Sequence, residues 1–125
     1  MTAATRVCFQ LQVHPQLLDE YLRRHASVWP EMLAEIAAAG RRNYSLFLGE
    51  GGTLIGYYET DDDAASQEYL AQSEVAARWE AEMARFFVDL DGRPDQAARP
   101  LTEVFNLAEQ LSATASDTSA ESERS

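Results

Sequence analysis

The sequence predicts an α+β sandwich, a fold in which helices cover one face of a sheet. Three observations support this prediction. The 125 residues suit one ordinary domain. Apolar types make up 46% and charged types 25%, which is the composition of a globular chain with enough hydrophobic residues for a core. Stretches with the two-residue period of a strand also alternate along the chain with stretches that have the helical period.

The N-terminal part of the chain predicts one strand and two helical segments. Residues 6–13 alternate apolar and polar side chains, as a strand with one buried face does. Residues 15–26 predict a helix, because Pro15 suits a first helical turn and apolar side chains recur at helical spacing. Residues 30–39 predict a second helical segment, with Gly40 just beyond its end. We expect the two segments to form one bent or broken helix.

The central part of the chain predicts a hairpin followed by helices. Residues 43–48 and 53–60 are rich in aromatic and β-branched types, and a glycine-rich turn separates them, so they predict an antiparallel hairpin. The acidic residues 61–63 favour a helix start, because negative charge there interacts well with the helix dipole. Residues 64–72 and 73–87 are then predicted to be helical.

The last element of the predicted domain is a strand. Residues 89–100 contain glycine and proline and predict a loop, and residues 102–107 predict a final strand. The resulting order is strand, helix, strand, strand, helix, strand. This split βαβ order indicates a ferredoxin-like α+β sandwich.

A sheet covered on one face only predicts self-association. The chain has no further element to cover the second face, on which we expect residues such as Val7, Phe9 and Leu11. We therefore expect a symmetric homodimer in which two sheets pack face to face and enclose a cavity.

Composition changes near the C-terminus. Residues 109–125 are dominated by Ser, Thr, Ala and Glu and contain no aromatic residue, which is typical of a disordered acidic tail. The sequence therefore predicts a single folded domain over residues 1–108, followed by this tail.

Charge and basic residue types exclude several classes of function. The formal net charge of −11 would repel phosphate backbones and anionic lipid surfaces, so neither nucleic acid nor membrane is expected as a partner. All 10 basic residues are arginine. Schiff-base, pyridoxal-phosphate and P-loop mechanisms each need a lysine amine, so these classes are excluded.

Cysteine and histidine usage points to a cytoplasmic protein without metal or cofactor. The single Cys8 cannot form an internal disulfide, and the first residues lack a signal-peptide pattern. His14 and His25 have no partner at metal-ligand spacing, so no protein-bound metal is expected. The chain also lacks a glycine-rich phosphate loop before a helix, so no nucleotide cofactor is expected.

One segment, residues 21–31, is dense in residues that could form a site. Tyr21 and His25 lie four positions apart, so both rings point the same way on a helix, and Trp29 lies another turn further on. This spacing fits a polar site rimmed by aromatic rings. It also fits an apolar helix stripe that these two rings complete. The spacing alone favours this stripe, and the sequence pattern does not decide between the two interpretations.

Several short motifs are shared with one known family. They are Tyr21-x-x-Arg24-His25-x-x-x-Trp29-Pro30-Glu31, Asn43-Tyr44-Ser45, Arg78-Trp79 with Met83, and Glu103-Val104-Phe105. The first string is specific, and the others are weak in isolation. Together, over about residues 6–107, they make the chain resemble the L-rhamnose mutarotase family.

The resemblance implies a cytoplasmic, cofactor-independent isomerase that dimerises into an α/β barrel and interconverts the α and β anomers of L-rhamnopyranose. It further implies that His25 is the proton donor and that Tyr21 and Tyr44 contact the sugar. Trp79 matches the first of two adjacent tryptophans at the sugar site. Glu80 stands where many members have the second tryptophan, so it is either a sugar contact or a solvated carboxylate on a helix.

The chemistry agrees with this implication, because opening a cyclic hemiacetal needs only an acid and a base, and histidine exchanges protons readily near neutral pH. Which group acts as the base stays open. Two alternatives remain. One is a cofactor-free enzyme of another reaction type on the same barrel, which would not accelerate sugar anomer exchange. The other is a non-catalytic module that binds a small ligand. In that case His25 is a core residue, and there is no catalytic activity for its substitution to abolish.

Overall fold

The sheet of the protein has four strands in the order β2-β3-β1-β4. The computed structural model describes residues 4–90 and 92–116. All pairs of neighbouring strands are antiparallel. The strands are β1 (Thr5–Gln12), β2 (Arg42–Leu48), β3 (Thr53–Thr60) and β4 (Arg99–Leu101). The predicted ferredoxin-like α+β fold is confirmed.

Helices connect the strands and cover one face of the sheet. They are α1 (Leu18–Ala26), α2 (Pro30–Ala38), α3 (Asp63–Gln72), α4 (Glu74–Met83), α5 (Pro94–Ala97) and α6 (Leu107–Ser116). Within the described part of the chain, none of them has both the length and the apolar content needed to cross a membrane.

The predicted long helix is broken between α1 and α2. Ser27 is extended with φ −148°, and Trp29 has φ −51° and ψ 132°. The ring of Pro30 disfavours the helical conformation at the residue before it, which explains the extended backbone of Trp29. This break turns the chain so that Trp29 packs against helix α4.

The apolar residues of β1 lie on the opposite face of the sheet from the one predicted. Because Phe9 pairs with Gly56 and Leu11 with Leu54, these residues point to the helix side and join the core there. Val7, Phe9 and Leu11 were expected on the uncovered face, so that expectation is wrong. The uncovered face, called here the open face, carries the alternate residues: Cys8, Gln10, Phe47, Ile55, Tyr57 and Leu101.

The last strand is shorter and earlier than predicted. Strand β4 ends at Leu101, and residues 102–106 have no regular structure. Val104 is 91% exposed, so this apolar run gains no stabilisation from a neighbouring strand in the described chain. The Asn106 side chain accepts a hydrogen bond of 2.9 Å from the Glu109 N–H, which caps α6 and ends the extended segment.

The structure also corrects the predicted start of the disordered tail. Residues 109–116 belong to helix α6, whose alanine and leucine residues favour a helix once Asn106 caps it. Arg6 forms an ion pair of 2.7 Å with Glu109, which connects this helix to β1. The remainder of the predicted tail, residues 117–125, lies outside the described residues.

Candidate functional site

A cleft of about 730 Å³ lies between the sheet and the helices that cover it. Apolar side chains of β1, β2 and β3 form its floor, and helices α1 and α4 contribute to its wall. The five residues singled out by the resemblance all line this cleft, although they belong to three separate elements. They are Tyr21, His25, Tyr44, Trp79 and Glu80.

His25 is half-buried on α1 and is oriented by its own helix. Its Nδ1 lies 3.0 Å from the carbonyl oxygen of Tyr21, one turn earlier. A carbonyl oxygen only accepts, so Nδ1 carries the hydrogen, and Nε2 is left to exchange a proton. The imidazole stacks on the Tyr21 ring at 4.1 Å and meets the Trp79 ring edge-on at 5.6 Å. The backbone and two rings therefore fix the orientation of the imidazole.

Burial makes the imidazole of His25 neutral at neutral pH. Desolvation lowers its pKa below the usual value, and the hydrogen bond to the Tyr21 carbonyl opposes this effect. In the neutral tautomer that this bond selects, the Nε2 lone pair is a proton acceptor.

Tyr21 is a buried wall of the cleft as well as a neighbour of His25. Only 3% of its surface is exposed, and its ring packs edge-on against Phe86 and Phe87 at 5.5 Å and 5.8 Å. Burial raises the pKa of its hydroxyl, and the nearby Tyr44 and Glu80 raise it further. The hydroxyl therefore stays protonated and can donate a hydrogen bond. Tyr21 thus fits both interpretations of the sequence, a core residue and a cleft residue.

A β-bulge positions Tyr44. The register of β2 against β3 shifts between Arg42 and Ser45, and Asn43 adopts a left-handed backbone with φ 51°. Asparagine tolerates this conformation better than most residues, and a bulge redirects the side chain that follows it. The Tyr44 ring lies 5.3 Å from Tyr58, and burial raises the pKa of its hydroxyl to about 12.

Trp79 is held in place by another residue of the specific motif. The ring of Trp29 meets it edge-on at 5.1 Å, so the break before Pro30 supports the cleft wall. Trp79 lies on helix α4. The Ser73 side chain caps the start of this helix by accepting a hydrogen bond of 3.1 Å from the Ala76 N–H.

Glu80 is a buried carboxyl, so the alternative of a solvated carboxylate is wrong. It is 8% exposed, and it lines the cleft together with Trp79, although adjacent helix positions diverge by about 100°. Burial, and next the negative charge of Asp95, raise its pKa to about 8. Asp95 itself is held by the Arg93 guanidinium at 2.7 Å and 3.0 Å. The cleft lining therefore includes the mostly protonated carboxyl of Glu80, the ion-paired Asp95, and Asp63, which accepts a hydrogen bond from Tyr58.

Sequence reasoning missed Arg41. The residue lines the cleft, is 7% exposed and donates from Nε to the Ser66 hydroxyl at 2.6 Å. Its guanidinium carbon lies 4.0 Å from the centre of the Tyr58 ring. The sequence shows only two adjacent arginines after Gly40. In a strand, alternation would place one of the two arginines inward and the other outward. Because the strand starts only at the second arginine, alternation does not show which of the two points inward.

In the part of the chain that the structure describes, no group of three or more His, Cys, Asp and Glu side chains is arranged to hold a metal ion.

Comparisons with known proteins agree with the motifs. The family model described as L-rhamnose mutarotase matches residues 6–107. An L-rhamnose mutarotase of Listeria monocytogenes is 36% identical over 106 residues, which are 82% of this chain and 98% of the relative.

Solved structures give the same result for the fold. The crystal structure of L-rhamnose mutarotase from Formosa agariphila superposes with a TM-score of 0.67 at 27% identity, covering 82% of this chain and 98% of that one. A dimeric ferredoxin-like protein from an uncultured marine organism has a TM-score of 0.51 at 13% identity, covering 84% and 93% of the two chains, and shows the fold alone. The match of the family model over almost the entire folded part establishes that this chain belongs to the L-rhamnose mutarotase family.

Proposed function

We propose that this protein is a mutarotase, an isomerase that interconverts the α and β anomers of L-rhamnose. The observation that carries the proposal is the single cleft in which all five expected site residues meet. Family membership supplies the substrate class. A cytoplasmic location belongs to the same proposal, and cell fractionation tests it.

The reaction requires two proton transfers and no other reactant. During ring opening the anomeric hydroxyl gives its proton to a base, and the bond from C1 to the ring oxygen breaks with its electron pair going to that oxygen. An acid then protonates the ring oxygen. After the free aldehyde has turned about its bond to C2, the reverse transfers close the ring on the other face. General acid and base groups in one cleft are therefore sufficient.

His25 is proposed as the first proton-carrying group. Its Nε2 is free because Nδ1 donates to the Tyr21 carbonyl. The lowered pKa means that the imidazole enters the cycle as a proton acceptor. Having taken a proton, it donates this proton in the closing step. The proposal thus places in ring closure the donor role that the resemblance implies for His25.

Glu80 is proposed as the second proton-carrying group. Its carboxyl lines the same cleft, and burial keeps it mostly protonated at neutral pH, since its pKa is about 8. Two groups whose environments shift their pKa values in opposite directions suit an acid and a base that act in one step. A tryptophan at this position could donate only its indole N–H, which does not exchange protons near neutral pH.

The three aromatic residues are proposed to bind the sugar. Tyr21, Tyr44 and Trp79 present ring faces that suit the C–H groups and the 6-methyl group of a deoxysugar. The hydroxyls of both tyrosines stay protonated, because burial raises their pKa values. These hydroxyls can therefore donate hydrogen bonds to sugar oxygens.

Proton NMR saturation transfer between the anomers of L-rhamnose tests the proposed reaction. We expect catalytic amounts of protein to accelerate the exchange above the buffer rate, and an unchanged rate would contradict the proposal. Parallel measurements with L-fucose and other sugars show which sugar the cleft prefers.

Glu80→Gln tests the second proton-carrying group, because it keeps the shape and removes the exchangeable proton. A loss of kcat with KM intact supports proton transfer. A change in KM alone makes Glu80 a binding group, and unchanged constants contradict both roles.

We further propose that the protein forms a homodimer through its open face. Phe47 is 62% exposed there and Leu101 is 37% exposed, while the partly buried Ile55 and Tyr57 extend the same apolar surface. A second copy would cover both surfaces with like residues, which is the closed arrangement that most homodimers use. A neighbour with this fold is described as a dimeric ferredoxin-like protein, which supports dimer formation by this fold.

A further inference from the structure

We propose that Arg41 is a sugar-binding residue whose guanidinium donates hydrogen bonds to oxygens of the bound sugar. The inference rests on the proposed mutarotase function and extends it, because it adds a cationic donor to a cleft otherwise defined by aromatic rings, an imidazole and carboxyl groups.

Arg41 has a buried hydrogen-bond donor that no described residue satisfies. A guanidinium has five N–H donors, and the one on Nε of Arg41 is used by Ser66, which is itself fully buried. Nη2 is buried and has no hydrogen-bond partner among residues 4–90 and 92–116. A buried cationic donor without an acceptor is unfavourable, so native proteins rarely keep one without a reason. An oxygen of a bound ligand would supply the acceptor.

Arg41 also differs from the arginines that pair with carboxylates. Among the described residues, five arginines form ion pairs with carboxylates at 2.6–3.2 Å: Arg6, Arg24, Arg42, Arg85 and Arg93. Arg41 has no carboxylate within ion-pair distance in that same part of the chain, although it is more buried than any of them. Among the described residues, therefore, no carboxylate contacts its charge directly, although the Tyr58 ring lies against it.

The protein itself holds the guanidinium of Arg41 in place. The Tyr58 ring lies 4.0 Å from its carbon, and the Tyr44 ring lies at 5.9 Å. Tyr58 is in turn fixed by its hydroxyl, which donates to Asp63 at 2.5 Å. A planar cation held by a hydroxyl and two rings loses little freedom when it binds, which favours hydrogen bonds to a pair of neighbouring sugar hydroxyls.

Steady-state anomer exchange of L-rhamnose by the full-length chain tests this role. We expect Arg41→Gln to raise KM about tenfold or more and to change kcat less, since a hydrogen bond to a charged group is lost. The matched control is Arg42→Gln. Arg42 is the next residue but is exposed and paired with Asp61 at 3.0 Å, so this variant should keep both constants.

Two further variants cover the case in which Arg41→Gln fails to fold. Arg41→Lys keeps the charge but not the planar fork, and Ser66→Ala keeps the arginine but removes its Nε anchor. We expect both to raise KM, with unchanged thermal unfolding for the lysine variant. An unaltered KM in the folded Arg41 variants overturns the inference.

Failure of this inference is distinguishable from failure of the proposed function. If the wild-type protein does not accelerate anomer exchange, the proposed function is wrong. If the wild-type protein is active and Arg41 variants keep its KM, Arg41 is a structural residue and only the inference is wrong.

Discussion

At the scale of single residues, burial acts in opposite directions on the two proton-carrying groups of the cleft. It lowers the pKa of His25 and raises that of Glu80, so the imidazole is neutral and the carboxyl mostly protonated at the same pH. In water the order of the two pKa values is the reverse, because a free histidine has a higher pKa than a free glutamate. The acid and the base of the proposed reaction are therefore set by where the side chains lie.

The first prediction concerns the choice of histidine. His25→Ala should lose about 10²–10⁴-fold of the catalysed exchange, because general acid-base assistance is removed. His14→Ala is the control. In the structure His14 begins the turn after β1, and its backbone N–H donates to the Phe86 carbonyl at 2.8 Å, a bond that the substitution keeps. Near wild-type activity in a folded His25→Ala variant, or a large loss in His14→Ala, would mean that the wrong histidine was assigned.

The second prediction concerns the pH dependence of stability. The pKa of Glu80 rises from 4.5 to about 8 on folding, so the folded protein keeps a proton that the unfolded chain releases in this interval. The free energy of unfolding should therefore fall as pH rises from the lower value to the higher, by up to a few kcal/mol.

Glu80→Gln removes this contribution. The thermal midpoint of Glu80→Gln minus that of the wild type should therefore increase steadily as the pH rises from 4.5 to about 8. Glu82→Gln removes an exposed carboxyl of the same helix that lies 3.2 Å from Arg24, and this control should show a much smaller pH-dependent difference from wild type. Parallel curves for Glu80→Gln would contradict the burial effect.

Much of the site could be predicted from sequence, because some of its contacts join residues that are close together in the chain. Tyr21 and His25 lie one helical turn apart, so their meeting follows from spacing alone once the helix is correct. The burial of Glu80 and the inward position of Arg41 depend on packing against distant elements. No pattern within either residue's own helix or strand specifies those environments.

At the scale of elements, the fold was predictable wherever the stabilising interactions are near in sequence. The hairpin strand Thr53–Thr60 has the predicted bounds, because the glycine-rich turn and the alternation of its residues determine it. The final strand was placed too late. A strand forms only where a neighbour offers hydrogen bonds, and β1 pairs with Arg99–Leu101 and not with the more β-prone residues that follow.

The third prediction concerns the floor of the cleft at Gly56 in β3. A Cβ at this position would lie 2.1 Å from Cζ of Phe9, whose ring lies across the glycine. Gly56→Ala should displace that ring into the cleft, raise KM and destabilise the protein by roughly 1–3 kcal/mol.

Gly49→Ala is the matched control for Gly56→Ala. Gly49 has φ −95°, and its nearest neighbour to a new Cβ would be 3.6 Å away. Thermal unfolding and KM are measured for both variants. Equal values for the two variants would show that the Phe9 ring moves freely away from the new Cβ.

At the scale of the whole molecule, chemistry and assembly are assigned to opposite faces of one sheet. The five expected site residues line the cleft on the helix side. The proposed dimer interface lies on the open face, where Phe47 pairs across the strands with Ile55.

The fourth prediction separates these two faces. Phe47→Asp places a charge in the proposed interface, so light scattering at micromolar concentration should show a monomer where the wild-type protein is a dimer. Leu22→Asp is the control, since Leu22 is 52% exposed on α1, away from the sheet. A wild-type monomer, or a Phe47→Asp dimer, would contradict the proposed interface.

The two-residue alternation of β1 has an evolutionary consequence. Phe9 and Leu11 line the cleft, while Gln10 between them lies on the open face. Substitutions at alternate positions can therefore alter sugar preference and oligomeric state separately, even though the residues concerned are adjacent in the chain. An insertion or deletion of a single residue in this strand would exchange the two sets and damage both functions at once. This strand is accordingly expected to drift by substitution among relatives while its length stays fixed.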